Sequence, residues 1–365
     1  MSGIVPAPVR HGEATLRFLL SDMADALAHP ATSEVVVNEP GRFGVEQDGF
    51  WTWHDAPALT FDRLLGIAVL SAYLGGKDVG HDNASCSATL PDGQRIKMVL
   101  SSGAAGGTVL LAIRRRALSF VPTLEWLAER DYYALLDPAV DWPAFFRCEV
   151  IERRRTVLVC GDIGASKTTK AEALVRAIPI AMRVVTVERS AEWLNLPHPN
   201  WAPLYFNDAD PMDAVRRVQD AMQMRPDWLP FQELQGGEAH AFSRALKIGT
   251  PGITTVHAPS ARRAFASVVS MIQQNEAGRG RPAAEIEAEL RQYVGYVLHC
   301  SRFLPKHDGE RTRYRLTQVL EVGQTPAEDR MVSEAAPDAP AVPPGPSGAS
   351  PRPRRAKGPP RETAP

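Results

Sequence analysis

Residues 156–178, TVLVCGDIGASKTTKAEALVRAI, leave few folds open to this chain. A Val- and Leu-rich run gives way to a short glycine-containing turn and then to a helix-forming stretch. A strand, a tight turn and a helix in that order bring backbone N–H groups and the positive end of a helix to one point, a natural seat for a phosphate group. The turn reads G-D-I-G-A-S-K-T, close to the phosphate-loop pattern G-x-x-x-x-G-K-S/T. Gly161 and Gly164 supply the turn, and Ala165, Lys167, Thr168 and Thr169 carry it into the helix. Lys167 is expected to reach the β and γ phosphates, and Thr168 to offer its hydroxyl to Mg²⁺. The departure is Ser166, which stands where the pattern has its second glycine. Glycine there lets the backbone approach without a Cβ. Serine is small, so the loop is expected to persist with some strain or loss of affinity.

Around this unit the sequence divides. From Thr156 onward short apolar runs (TVLVC, RVVTVE, WLPFQEL, GITTVHA) alternate with helical segments such as DPMDAVRRVQDAMQM. That alternation predicts a mostly parallel, buried sheet with helices over it. Before it, residues 14–122 read differently. ATLRFLLSDMADALAHP has an apolar helical face, SEVVVNEPGRFGVEQDGFWTWHD reads as strands around turns, and TFDRLLGIAVLSAYLGG is a helix with Thr60 as N-cap. SCSATLPDGQRIKMVLSS is a hairpin turning at Pro91-Asp92-Gly93, and GTVLLAIRRR is a further strand. The expected organisation is a flexible arm over 1–13, an α+β domain over 14–122, a helical connector over 123–155 and an α/β domain over 156–323. A disordered Pro/Ala-rich tail over 324–365 ends in an Arg/Lys cluster that can serve as a solubilising end or touch acidic partners or lipid.

Composition excludes several classes. The 365 residues carry a net charge of −1, which gives no basis for general nucleic-acid or membrane binding. The four cysteines contain no C-x-x-C pair, so neither a zinc module nor a disulfide framework is expected, and a reducing cytoplasm fits. The N-terminus lacks the pattern of a signal peptide, and the longest apolar stretch, beginning at Leu64, is too short to span a bilayer.

Three residues are expected at the ends of the later strands. Glu188 closes RVVTVE, Glu233 follows WLPFQ, and His257 follows GITTV. In open α/β sheets ligands bind at the carboxyl ends of the strands. Two acids and a histidine arriving there beside a lysine loop suit phosphoryl transfer. An acid can hold Mg²⁺ through water or orient the attacking water, and a histidine can sense the γ phosphate. A helix-capping or solvated glutamate and a satisfied structural histidine are the plainer alternatives.

The order of the phosphate loop, VTVERSAEW, MRPD…QELQGGEA and GTPGITTVHA resembles the secretion ATPase superfamily of type II and type IV secretion. SEVVVNEPGRFGVEQDG, SATLPDGQRIKMVL and LLAIRRRALSFVPTLEWL look like the small cytoplasmic traffic ATPases of type IV secretion and conjugation, and the resemblance covers residues 14–323. It implies a RecA-like P-loop domain behind a smaller α+β N-terminal domain, with ATP and Mg²⁺ bound between them in a homo-hexameric ring. Carried over by position, Gly161, Gly164, Ala165, Ser166, Lys167, Thr168 and Thr169 hold the nucleotide. Glu188 falls in the acidic box, Glu233 takes the Walker B role with Thr168 at the metal, and His257 is the histidine-box residue. Arg95 and Arg114 match arginines that reach the γ phosphate. The implied partners are an inner-membrane secretion channel and its coupling components, met from the cytoplasm, with no direct sequence-specific nucleic-acid binding.

The chain departs from that pattern at the site itself. Besides Ser166, Gln232 stands where the family usually has glycine, Gln235 where it has arginine, and Thr250 where the histidine box has a first histidine. Pro230 sits inside the Walker B strand, where it should remove a ladder hydrogen bond. The readings left open are a hydrolysing motor, a catalytically weakened or inactive ring or scaffold paralogue, and a pilus-type or type II secretion ATPase.

Overall fold

The computed structural model describes residues 12–335 except 48, 115–120, 190, 192, 194, 208, 209, 211, 277, 306, 308 and 309. The expected arm before residue 12 and the basic end of the tail lie outside the described residues.

The first unit is a six-stranded antiparallel sheet built from β1 (Thr32–Val37), β2 (Arg42–Gln47), β3 (Phe50–Asp55), β4 (Ser85–Thr89), β5 (Arg95–Val99) and β6 (Leu110–Arg114) in the order β3-β2-β1-β6-β5-β4. Alternation puts Val35, Val37, Val45, Ile96, Met98, Leu111 and Ile113 on one buried face. Three helices cover that face: α1 (Glu13–Leu19), α2 (Ala24–Ala28) and α3 (Phe61–Leu74). Thr60 caps α3 as expected, accepting from Arg63 N at 3.3 Å. The helix expected over 14–30 is broken at Ser21–Met23. Arg63 satisfies the end of α1 there, its guanidinium donating to the carbonyls of Leu19 (2.9 Å) and Phe18 (3.3 Å). The edge strand β3 is exposed along its whole length.

The connector is not a spacer. Its helices α4 (Leu124–Ala128) and α5 (Trp142–Phe145), the latter running into a π-helical turn over Phe146–Glu152, bury Tyr132, Tyr133, Leu136, Trp142 and Phe146 against the second sheet.

That sheet has eight strands: β7 (Thr156–Gly161), β8 (Val184–Glu188), β9 (Trp201–Tyr205), β10 (Leu229–Phe231), β11 (Gly252–Val256), β12 (Val294–Phe303), β13 (Arg313–Glu321) and β14 (Arg330–Glu334). Their order is β14-β13-β12-β7-β11-β10-β8-β9. The run from β12 to β9 is parallel, and β13 and β14 add antiparallel at one edge. Helices α6 (Lys167–Ala177), α7 (Asp213–Gln223), α8 (Glu238–Lys247), α9 (Ala264–Gln274) and α10 (Ala283–Arg291) join the strands. Every residue of β7, β8, β10 and β11 is buried, because apolar cores lie on both faces.

Two expectations need correcting or refining. The tail expected to be disordered from 324 contains an ordered turn and β14. Arg291 and Asp329, both nearly fully buried, pair at 2.7 Å and pin this segment to α10, while Gln318↔Glu334 and Glu321↔Arg330 register it on β13. Pro230 acts as expected on the ladder. Leu229 N bonds Pro251 O toward β11, and Gln232 N bonds Val187 O toward β8. Alternation therefore points the missing N–H of Pro230 at β8. There the pairing shrinks to Phe231↔Val187 and an isolated bridge Val184↔Trp228.

Candidate active site

β7 delivers the chain to the phosphate loop at Gly161, whose φ is 146°. A Cβ there would stand 2.2 Å from the carbonyl oxygen of Cys300 on β12, so only glycine fits. Gly164 follows with φ 73°. Ser166 then takes φ 63°, the left-handed conformation that a glycine would adopt without cost. It precedes α6 without capping it, because its hydroxyl lies 3.1 Å from the Tyr132 hydroxyl instead. Ala165 is buried behind the loop, and Thr168 and Thr169 lie in the first turn of α6. That turn carries no acid. Its N–H groups and the helix dipole suit an anion.

Lys167 is folded back into the loop. Its ammonium donates to Gly161 O (3.0 Å), Asp162 O (2.8 Å) and His257 Nδ1 (3.2 Å). On its other side His257 Nε2 lies 2.8 Å from Glu233 Oε1. An ammonium has no lone pair, so His257 Nδ1 must be the acceptor and its proton sits on Nε2, donated to Glu233. Gln235 Nε2 donates to the second oxygen of Glu233 at 2.6 Å. Three residues far apart in sequence thus form one chain, Lys167–His257–Glu233. Burial lowers the pKa of Lys167 from its ordinary value, an effect opposed chiefly by the Glu233 carboxylate.

Glu188 is placed differently. It ends β8 fully buried, accepting from Thr186 Oγ1 (2.8 Å) and from Trp193 N (3.0 Å). Its carboxylate holds the turn that follows β8. Gln232, one of the departures, has a clear local role there. Its Oε1 accepts from Arg189 N at 2.7 Å and ties that turn to the end of β10.

Arg95 and Arg114 face each other directly across β5 and β6. They line a cleft of about 1030 Å³ with Glu34, Lys97 and, from the second unit, Arg189. The phosphate loop is not among the cleft's walls. The link between the two regions is Arg302 at the carboxyl end of β12. Its Nη1 lies 3.0 Å from where a Cβ on Gly164 would stand. It also acts on Glu34, whose carboxyl is pushed up by burial while Arg114 and Arg302 pull it back down. The turn at Gly49 completes the contact, accepting from Thr312 N at 3.4 Å. Sequence reading missed Arg302, Arg189 and Tyr132. Only Arg302 carried a usable signal, its place at the end of a strand neighbouring β7.

A family model for type II/IV secretion system proteins matches residues 144–300. Protein VirB11 of Agrobacterium tumefaciens (strain 15955) is 32% identical over 288 residues, covering 72% of this chain and 83% of that protein. The chain belongs to the VirB11 family. The type IV secretion system protein VirB11 of Brucella suis agrees, at 28% identity over 320 residues covering 81% of this chain and 88% of that protein. Two solved structures share the fold: the ATPase DotB of Yersinia pseudotuberculosis (TM-score 0.55, 15% identity, 88% of this chain and 82% of that one) and the pilus retraction motor PilT with bound ADP (TM-score 0.53, 16% identity, 82% of each). Membership makes this chain a nucleotide-binding P-loop ATPase of a type IV secretion system, the first of the readings left open by the sequence.

Proposed function

We propose that ATP is hydrolysed at the Gly161–Thr169 loop, with Lys167, His257 and Glu233 acting as one relay. The observation that carries this is the hydrogen-bonded chain Lys167–His257–Glu233. A nucleotide's β and γ phosphates draw the Lys167 ammonium off the carbonyls of Gly161 and Asp162. The ammonium has three donors, so it keeps His257 Nδ1 while it meets the phosphates, and His257 senses the γ phosphate through Lys167. His257 stays on Glu233 through Nε2, so Glu233 is held where it can orient the attacking water. The donor set fits Mg²⁺, with one hydroxyl from Thr168 and one carboxylate from Glu233, the hard oxygen ligands of an ion that keeps most of its waters. When bound, that ion neutralises charge developing between the β and γ phosphates. Arg95 and Arg114 supply further positive charge from the first unit, and Arg302 supplies it from β12 beside Gly164 of the loop. Guanidinium forks suit phosphate oxygens. Glu188 acts by holding the turn after β8.

We place the functional division at 14–122 and 156–335, with 123–155 packed into the second part. The working form we infer is a homo-hexameric ring serving an inner-membrane secretion channel from the cytoplasm. No described helix is long and apolar enough to cross a membrane, so attachment would be peripheral. The left-handed Ser166 and the ladder gap at Pro230 favour slow turnover. The test is Glu233→Gln, which keeps size and the contact with His257. Turnover should fall about 10²–10³-fold, while the dissociation constant for ADP stays within about threefold. Unchanged turnover would mean that the Glu233 carboxylate does not orient the attacking water.

A further inference from the structure

We propose that Tyr132, supplied by the connector, is the positioning residue that lets a serine occupy the glycine position of this loop. The inference rests on the Gly161–Thr169 loop being the nucleotide site. A serine at φ 63° is held against its own preference, and some contact must hold it there. The Tyr132 hydroxyl is that contact, 3.1 Å from Ser166 Oγ. Tyr132 is itself rigidly seated. It is 3% exposed, packs edge-on against Tyr133 at 5.7 Å between ring centres, and accepts Leu316 N at 2.8 Å through its backbone carbonyl. Burial raises the pKa of its hydroxyl well above the ordinary value, so it stays a neutral phenol. The Tyr132 and Ser166 hydroxyls satisfy one another, and either can be the donor.

Cys300 closes the arrangement from behind, because its carbonyl oxygen is the atom that excludes any side chain at Gly161. One residue of β12 therefore backs both ends of the loop. The serine hydroxyl, turned to Tyr132, leaves the first N–H groups of α6 uncapped and open to phosphate. A glycine at 166 would reach the same backbone conformation alone. The serine reaches it only with the tether, which makes loop geometry depend on the connector between the two units.

The experiment is a mutant cycle read as the dissociation constant of a fluorescent ADP derivative, with thermal midpoints measured in parallel. Tyr132→Phe removes one hydroxyl and should weaken binding about 3–10-fold. Ser166→Ala keeps the Cβ that strains this conformation and loses the tether, so it should weaken binding similarly. In the Ser166→Gly background Tyr132→Phe should change binding by less than about twofold. An equal loss in both backgrounds, or a lowered midpoint with unchanged affinity, would mean that Tyr132 is only a packing residue and would overturn the inference. Lys167→Ala separates the two levels. If it weakens binding strongly while Tyr132→Phe is silent, only this inference fails. If it binds normally, the site assignment fails and the inference with it.

Discussion

Removing the Lys167 ammonium should cost nucleotide binding an amount that follows from what it does in the resting site. There it makes three hydrogen bonds, two of them to carbonyls that a nucleotide must displace. An ammonium about 4 Å from a unit of phosphate charge gains about 4 kcal/mol at an effective dielectric of 20. Leaving two carbonyl acceptors returns about 1 kcal/mol for each. The remainder, about 2 kcal/mol, is about 30-fold in the dissociation constant. Titration calorimetry of Lys167→Ala with Mg-ADP measures this directly. Because burial lowers the Lys167 pKa, the free protein should begin to lose affinity on the alkaline side before the ordinary lysine value of 10.5, and the alanine variant should lack that limb. A dissociation constant within threefold of the parent would refute the reasoning, since the ammonium would then not face the phosphates.

Gly161→Ala should lower stability by about 2–5 kcal/mol, because its Cβ meets a strand carbonyl at 2.2 Å in a backbone region that side chains avoid. Gly80→Ala, with nothing within 4 Å, should be neutral in the same denaturation assay. Lys170 is fully buried on α6, with its ammonium on Tyr133 Oη (3.1 Å) and over the Phe146 ring (3.4 Å), and burial lowers its pKa well below the ordinary value. The unfolded chain then holds a proton the folded chain has released between the lowered value and 10.5, so stability rises with pH across that window and the full penalty is present below it. Lys170→Met should be more stable at neutral pH by about 1 kcal/mol or more and should lack that rise. Denaturant titrations at a series of pH values up to about 10.5 read both effects. A parent-like slope in the methionine variant would contradict them.

The parts legible in the sequence are those whose signals are local. The loop announces itself through its glycines and lysine. Glu233 and His257 could be placed because each follows a short apolar run that had to be a buried strand. The hairpin of β4 and β5 that carries Arg95 is fixed by the local turn between Leu90 and Gln94. What escaped depends on pairing across long separations. β12 and β13 mix polar and apolar residues, and β14 is ordered by a register on β13 and a buried ion pair to α10. Glu188 arrived at the expected strand end, but no pattern in VTVERSAEW shows its carboxylate bound to Thr186 and Trp193. Ser166 read as a defect because its compensating partner lies 34 residues upstream in a segment read only as a helical connector.

The central claim is that a loop with serine in the glycine position still runs a motor. The most direct test is Mg²⁺-dependent ATP turnover of the purified full chain, with Lys167→Ala as the blank. Turnover above the blank that vanishes on chelating Mg²⁺ is the predicted result. A folded protein that binds ADP but turns over no faster than the alanine variant would contradict the claim.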